Sequence, residues 1–145
     1  MRLRFDKRGG FTLIEMLLVI VIIGMLVTLV GVNVVKHSAS AKITAARAQI
    51  LNYKTALSTY NLDAGVFPSS DQGLEALVQA PASPPVPAKW NGPYLDPAVV
   101  KPDPWNRPFV YQCPPQQNPD PDGFDLSSTG PDGQPGTDDD VVSWR

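Results

Sequence analysis

From Met16 to Val35 the chain carries no charged residue, and only Thr28 and Asn33 are clearly polar. A run of about twenty such residues, wound as a helix rising about 1.5 Å per residue, matches a hydrocarbon layer about 30 Å thick. The first ten residues carry Arg2, Arg4, Lys7 and Arg8 against Asp6. Positive charge is retained on the cytoplasmic side of such spans, so the N-terminus is expected to face the cytoplasm. An ordinary secretory signal peptide fits poorly, because the run is long for a signal core. No small-x-small cleavage site precedes the polar sequence that follows; Ser38-Ala39-Ser40 is the nearest candidate.

Glu15 stands at the start of the apolar run. A carboxylate there is costly in hydrocarbon, by about 2.5–3.5 kcal/mol at mid-membrane and less at an interface, and such groups usually have partners. No cation follows before Lys36, about 30 Å along a helix. Two readings stay open on physical grounds. Glu15 rests unpaired in the headgroup layer, or it pairs with an α-ammonium released by a cut before Phe11, on its own chain or on a neighbouring copy.

After Val35 polarity rises but helical periodicity persists. Ile43, Ala46, Ile50, Tyr53, Leu57 and Tyr60 recur at alternating spacings of three and four, with Lys36, Lys42, Arg47 and Lys54 off the stripe. The pattern predicts one helix from Phe11 to about Asp63, with Gly65 as its C-cap and the stripe as the packing face for a globular part. His37 falls where the helix leaves the membrane and has no second ligand near it in sequence.

All sixteen prolines lie beyond Phe67. Ser69 and Gln72 have capping-box spacing, and Gly73–Gln79 reads as a short second helix stopped by Pro81. The segment from Ala80 to Lys89 is a Pro-rich loop. Three β-capable runs follow at 108–112, 124–128 and 141–144, separated by turn residues. A long helix with three short strands predicts a small α+β domain. Cys113 is the single cysteine, so no internal disulfide can staple it, and a structural thiol is expected.

The chemistry is narrow. No Ser/His/Asp set exists, since His37 is the only histidine; no Gly-rich phosphate loop follows a strand, and no Cys/His cluster occurs. A secreted calcium-dependent hydrolase is a weak reading, and the chain is expected not to be an enzyme. The net charge of −2 gives no basic footprint for nucleic acid. It hides an acidic end, however: Asp120, Asp122, Asp125, Asp132, Asp138, Asp139 and Asp140 against Arg145 alone. Asp132, Asp139 and Asp140 flank the tight 133–137 turn, and like charges so crowded favour a counter-ion. Aspartates in a Gly/Pro loop suit a hard cation better than an active site.

Gly10-Phe11-Thr12-Leu13-Ile14-Glu15 before a long apolar helix resembles the processing signal of type IV pilins and pseudopilins. That resemblance implies a prepilin peptidase that cuts after Gly10 and N-methylates Phe11, with Glu15 as the assembly residue. Phe67-Pro68 through Asp71-Gln72-Gly73-Leu74-Glu75-Ala76-Leu77, Trp90-Asn91-Gly92-Pro93-Tyr94-Leu95, Asp103-Pro104-Trp105, and Ser128–Gly133 with Asp139-Asp140 narrow it. They resemble the landmarks of the major pseudopilins of type II secretion, the general secretion pathway protein G family.

What the resemblance implies is a pilin-like α+β fold and a non-catalytic subunit of a periplasmic filament that helps drive folded proteins through an outer-membrane secretin. The implied division is a leader at 1–10, a transmembrane and assembly helix at 11–35, and a periplasmic domain at 36–145, its helical part at 36–64 and its globular part at 65–145. The implied partners are further copies of the chain, minor pseudopilins, the peptidase and N-methyltransferase, an inner-membrane platform protein with its assembly ATPase, and membrane lipid, without nucleic acid. The implied cofactor is calcium, held by the Asp132, Asp139 and Asp140 side chains and the Thr129 and Gln134 carbonyls, with Thr137 a weaker candidate and Asp138 outside the set.

This chain departs from the pattern in three places: Val32 follows Gly31 where many relatives have a proline, Asn106-Arg107 replaces Gly-Asn, and Thr129 replaces a bulky apolar residue. The competing assignment is a type IV pilin of a surface filament used for adhesion or DNA uptake, which would share the leader and anchor. Such pilins usually add a larger domain and a C-terminal disulfide loop.

Overall fold

The computed structural model describes residues 10–145, and at 28–38 the backbone alone. The described residues form two compact units, one up to Ser38 and one over Ala39–Arg145. Helix α1 runs from Leu13 to Ala64. It begins two residues later than the periodicity predicts because Thr12 caps it: the Glu15 N–H donates to the Thr12 carbonyl at 3.1 Å and lies 3.3 Å from the Thr12 hydroxyl. It ends as expected, with Gly65 at φ 78° and its N–H on the Asn61 carbonyl at 2.8 Å.

In the first unit every described side chain of α1 up to Val27 is exposed. Among the described residues no helix is long and apolar enough to cross a membrane. The uncharged run continues to Val35, and from Thr28 onward its side chains, like that of His37, lie outside the described residues.

In the second unit the predicted stripe is the core face. Ala46, Ile50, Tyr53, Ala56, Leu57 and Tyr60 are buried, and Ile43 is partly so. They pack with Leu74, Ala76, Leu77, Phe109, Phe124, Leu126 and Val141. Aromatic edges interlock this core: Tyr53 meets Phe109 at 5.2 Å between ring centres, and Phe67 meets Phe124 at 5.0 Å. The Tyr53 hydroxyl bonds the Lys101 backbone, and the Tyr111 hydroxyl donates to the Pro68 carbonyl at 2.8 Å. Burial pushes both phenols above their ordinary range.

The expected second helix contracts to a 3-10 turn at Leu74–Leu77. The capping box does form, with the Ser69 N–H on Gln72 Oε1 at 3.0 Å and the Gln72 N–H 3.3 Å from Ser69 Oγ. It closes a turn, because Gly73 at φ 59° breaks the backbone before a helix can propagate. Gln72 is instead buried, its amide donating to the Ser83 and Pro85 carbonyls and tying down the Pro-rich loop.

The three strands are found, each trimmed: β1 Val110–Gln112, β2 Asp125–Ser128 and β3 Val141–Val142. They form an antiparallel meander β1-β2-β3, with Tyr111 opposite Leu126 and Ser128 opposite Val141. That last pair sets the base of the acidic loop, since residues 129–140 are the β2–β3 connection.

Candidate functional site

Two regions hold the candidate residues. At the N-terminal junction, Gly10, Phe11 and Thr12 are non-helical. A Cβ at Gly10 would meet open space, and Phe11 is 75% exposed. The Gly10–Phe11 peptide bond therefore lies between exposed, non-helical residues. Glu15 lies exposed in the first turn of α1, where a carboxylate also suits the positive end of the helix dipole.

The second region is the 129–140 loop, built on a buried polar knot. Asp103 is 4% exposed, and its Oδ1 accepts from the Trp105 N–H at 3.0 Å and the Arg107 N–H at 2.8 Å. Its Oδ2 accepts from the Ser128 hydroxyl at 2.6 Å. Asn106 sits at φ 65°, the left-handed turn that an asparagine tolerates. The 103–107 turn is thus fastened to the residue preceding the loop.

Within the loop the acidic side chains bond mainly to nearby backbone. Asp132 Oδ1 accepts from the Gln134 N–H at 2.8 Å, Asp139 Oδ2 from the Asp132 N–H at 3.1 Å, and Asp140 Oδ2 from the Gly136 N–H at 2.7 Å. The Thr137 hydroxyl lies 2.5 Å from Asp139 Oδ1 and 3.1 Å from the Gln134 carbonyl. Its single proton favours the charged oxygen, which leaves the Gln134 carbonyl a lone pair to spare. The Thr137 hydroxyl and the Asp132 N–H hold the Asp139 carboxyl below the usual carboxylate range. The Thr129 carbonyl accepts from the Gly133 N–H at 3.1 Å. Asp138 is exposed.

Among the described residues no three His, Cys, Asp or Glu side chains converge as a metal-holding group. Asp132, Asp139 and Asp140 share one loop without forming a three-carboxylate cluster, so a cation there would depend heavily on carbonyl oxygens. One feature fits such an ion: Asp140 Oδ1 is buried without a hydrogen-bond partner. A desolvated carboxylate oxygen left unpaired is costly, and a cation would offset that cost.

Not every aspartate of the acidic end belongs here. Asp125, 6% exposed, accepts from the Gln116, Gln117 and Asn118 N–H groups at 2.6–2.8 Å and staples that loop. Cys113 is half-buried, its thiol 3.6 Å from the Gly123 carbonyl, and burial pushes the thiol up. That is the structural thiol expected. Sequence reasoning missed the Asp103–Ser128 knot and the contacts of Arg107. An aspartate two residues before Trp105 was the available signal, since such side chains accept from the backbone two positions on.

A long N-terminal helix, exposed and apolar at its start and packed on a small three-stranded sheet at its end, defines a pilin-like fold. A family model described as type II secretion system (T2SS), protein G matches residues 33–144, and one for the prokaryotic N-terminal methylation motif matches 6–31. The type II secretion system core protein G of Escherichia coli (strain K12) is 40% identical over 96% of this chain and 92% of its own length. That of Pseudomonas aeruginosa is 42% identical over 95% and 96%. The crystal structure of the major pseudopilin from the type 2 secretion system of enterohaemorrhagic Escherichia coli superposes with a TM-score of 0.65 at 29% identity, covering 77% of this chain and 94% of that one. The chain belongs to the type II secretion system protein G family. That membership favours secretion over the surface pilin.

Proposed function

We propose that this chain is the major structural subunit of a periplasmic pseudopilus serving type II secretion, made as a membrane-anchored precursor and acting by assembly rather than catalysis. The family match, spanning residues 6–144 in two adjoining segments, carries the reading. The division that goes with this reading is a leader at 1–10, an anchor at 11–35 and a periplasmic domain at 36–145. A prepilin peptidase cuts Gly10–Phe11 and methylates the Phe11 amine. The exposed, non-helical bond supports that step, and Thr12 remains in the mature chain to cap α1. Glu15 then pairs with the Phe11 ammonium of a neighbouring copy in low dielectric, where an unpaired carboxylate is expensive. Minor pseudopilins, the platform protein and its ATPase are the remaining partners, with the stored subunit single-pass in the inner membrane.

The 129–140 loop is proposed to bind calcium through Asp132, Asp139 and Asp140 together with the Thr129 and Gln134 carbonyls. The unpartnered Asp140 Oδ1 and the spare lone pair of Gln134 support it. Thr137 orients Asp139 and is the weaker ligand. The ion when bound supplies positive charge that stabilises the folded loop; it supplies no reaction.

N-terminal sequencing and intact mass of the membrane-extracted protein test the processing. A mature chain beginning at N-methyl-Phe11 is expected. An uncut Met1, or a start near Ser40, would overturn the reading.

A further inference from the structure

Arg107 is half-buried beside the acidic loop. Its Nη1 donates to the Gly130 carbonyl at 2.7 Å and its Nη2 to the Pro131 carbonyl at 3.3 Å. The guanidinium lies so close under Gly133 that a Cβ there would fall 2.5 Å from Nη1. Gly133 also has φ 75°, so a side chain there would be strained in its backbone and would have to displace the guanidinium. Arg107 is itself held at its backbone, since its N–H donates to Asp103 Oδ1 and its carbonyl accepts from the Asp103 N–H at 2.8 Å. The same Asp103 grips Ser128 through its other oxygen. Two fasteners therefore run from one turn to consecutive points of the loop: Asp103 to Ser128, and Arg107 to Gly130 and Pro131.

The consequence is a sorting of carbonyls. Gly130 and Pro131 turn their oxygens to the guanidinium, whereas Thr129 turns its oxygen to the Gly133 N–H across the loop. We propose that Arg107 is a positioning residue for the acidic loop, a resident cation that fixes its first limb and commits the Gly130 and Pro131 carbonyls, so that Thr129 and not its neighbours faces a bound divalent ion. A planar fork suits two carbonyls on adjacent residues, which an ammonium cannot engage in the same fixed geometry. The proposal rests on the calcium reading for its second half only; the ordering of the first limb stands without an ion.

The test is hydrogen–deuterium exchange on the full-length mature protein in detergent, in millimolar calcium and in chelator at matched ionic strength. Arg107→Met keeps the aliphatic stem and removes the fork. It is expected to raise exchange at 130–134 in chelator by about tenfold or more, with the β1 and β2 amides unchanged. It is also expected to weaken calcium binding by about tenfold, measured by titration. Arg107→Lys is expected to recover less than half of the lost protection. Unchanged exchange at 130–134 in Arg107→Met overturns the proposal. So does full recovery by Arg107→Lys, which would assign the effect to charge alone, and so does an equal loss of protection across the whole sheet. A wild-type protein whose exchange ignores calcium while Arg107→Met still loosens the limb would sink the calcium reading and leave the strut in place.

Discussion

The two halves of α1 are covalently one helix and physically two kinds of surface. Between Leu13 and Val27 the apolar side chains stand in the open; Leu13 is 84% exposed and Ile20 is 70% exposed. Between Ala46 and Tyr60 most of the large apolar residues lie on one stripe, where Leu57 and Tyr60 are fully buried; Leu51 lies off it at 63% exposure. The second half finds its apolar partners within the chain. The described apolar side chains of the first stay exposed, and we propose that lipid and other copies cover them. A helix that is apolar all round is built to be covered, and what covers it is the function.

The comparison breaks most visibly at the core. Leu57→Ala is expected to cost about 2–5 kcal/mol of domain stability, whereas Ile20→Ala should leave domain unfolding within about 0.5 kcal/mol. Thermal melts of both variants in the same detergent check it, and equal losses would erase the distinction between the halves. Next in size is Asp103→Ala, which strands the Trp105 and Arg107 N–H groups and the Ser128 hydroxyl. A loss of about 1–3 kcal/mol is expected in denaturant titration, and Asp103→Asn should lose less.

Gly130 lies at φ 60°, and a Cβ there would strike the Asp139 carbonyl. Gly130→Ala should therefore cost about 1–3 kcal/mol and weaken calcium binding at the same time. Wild-type protein should melt several degrees higher in millimolar calcium than in chelator, at matched ionic strength, and Asp132→Ala should remove that difference. Overlapping wild-type curves would leave the loop without its ion.

The smallest effect concerns Cys113. Its thiol is raised by burial, so folding favours the protonated form. That contribution is complete below the ordinary thiol value of about 8.5 and fades as pH climbs through the raised one. Alkylation of Cys113 at pH 8 should accordingly run at least about tenfold slower in the folded protein than in denaturant. Equal rates would mark an exposed, ordinary thiol.

Much of this was legible in the sequence because the relevant signals are periodic. The 43–60 stripe located the core face and Asp63-Ala64-Gly65 the end of the helix, since apolar spacing and a left-handed cap act locally. The three β-runs were placed, yet each shortened. Pro108 lacks an N–H to give a ladder, and β3 keeps two residues before the Ser143 backbone and hydroxyl take over bonding to Leu126. The second helix failed because Gly73 interrupts it, a backbone angle that composition does not reveal. At the acidic loop the residue types were readable, but their arrangement was not. Asp125 proved a staple for residues 116–118, and Arg107 meets Gly130 and Pro131 across more than twenty residues of chain. Such long-range pairings of single polar groups leave no period to read.

We propose that the exposed half of α1 is covered by other copies, with Glu15 as the group that drives it there. The direct measurement is Glu15→Ala expressed beside its secretin and assembly machinery, followed by cross-linking of membranes and assay of secreted protein. The account predicts a subunit that is still cut at Gly10–Phe11, folded and membrane-embedded, but monomeric and unable to support secretion, with Glu15→Asp intermediate at best because its side chain is shorter. Filaments of normal length and normal secretion from Glu15→Ala would contradict it.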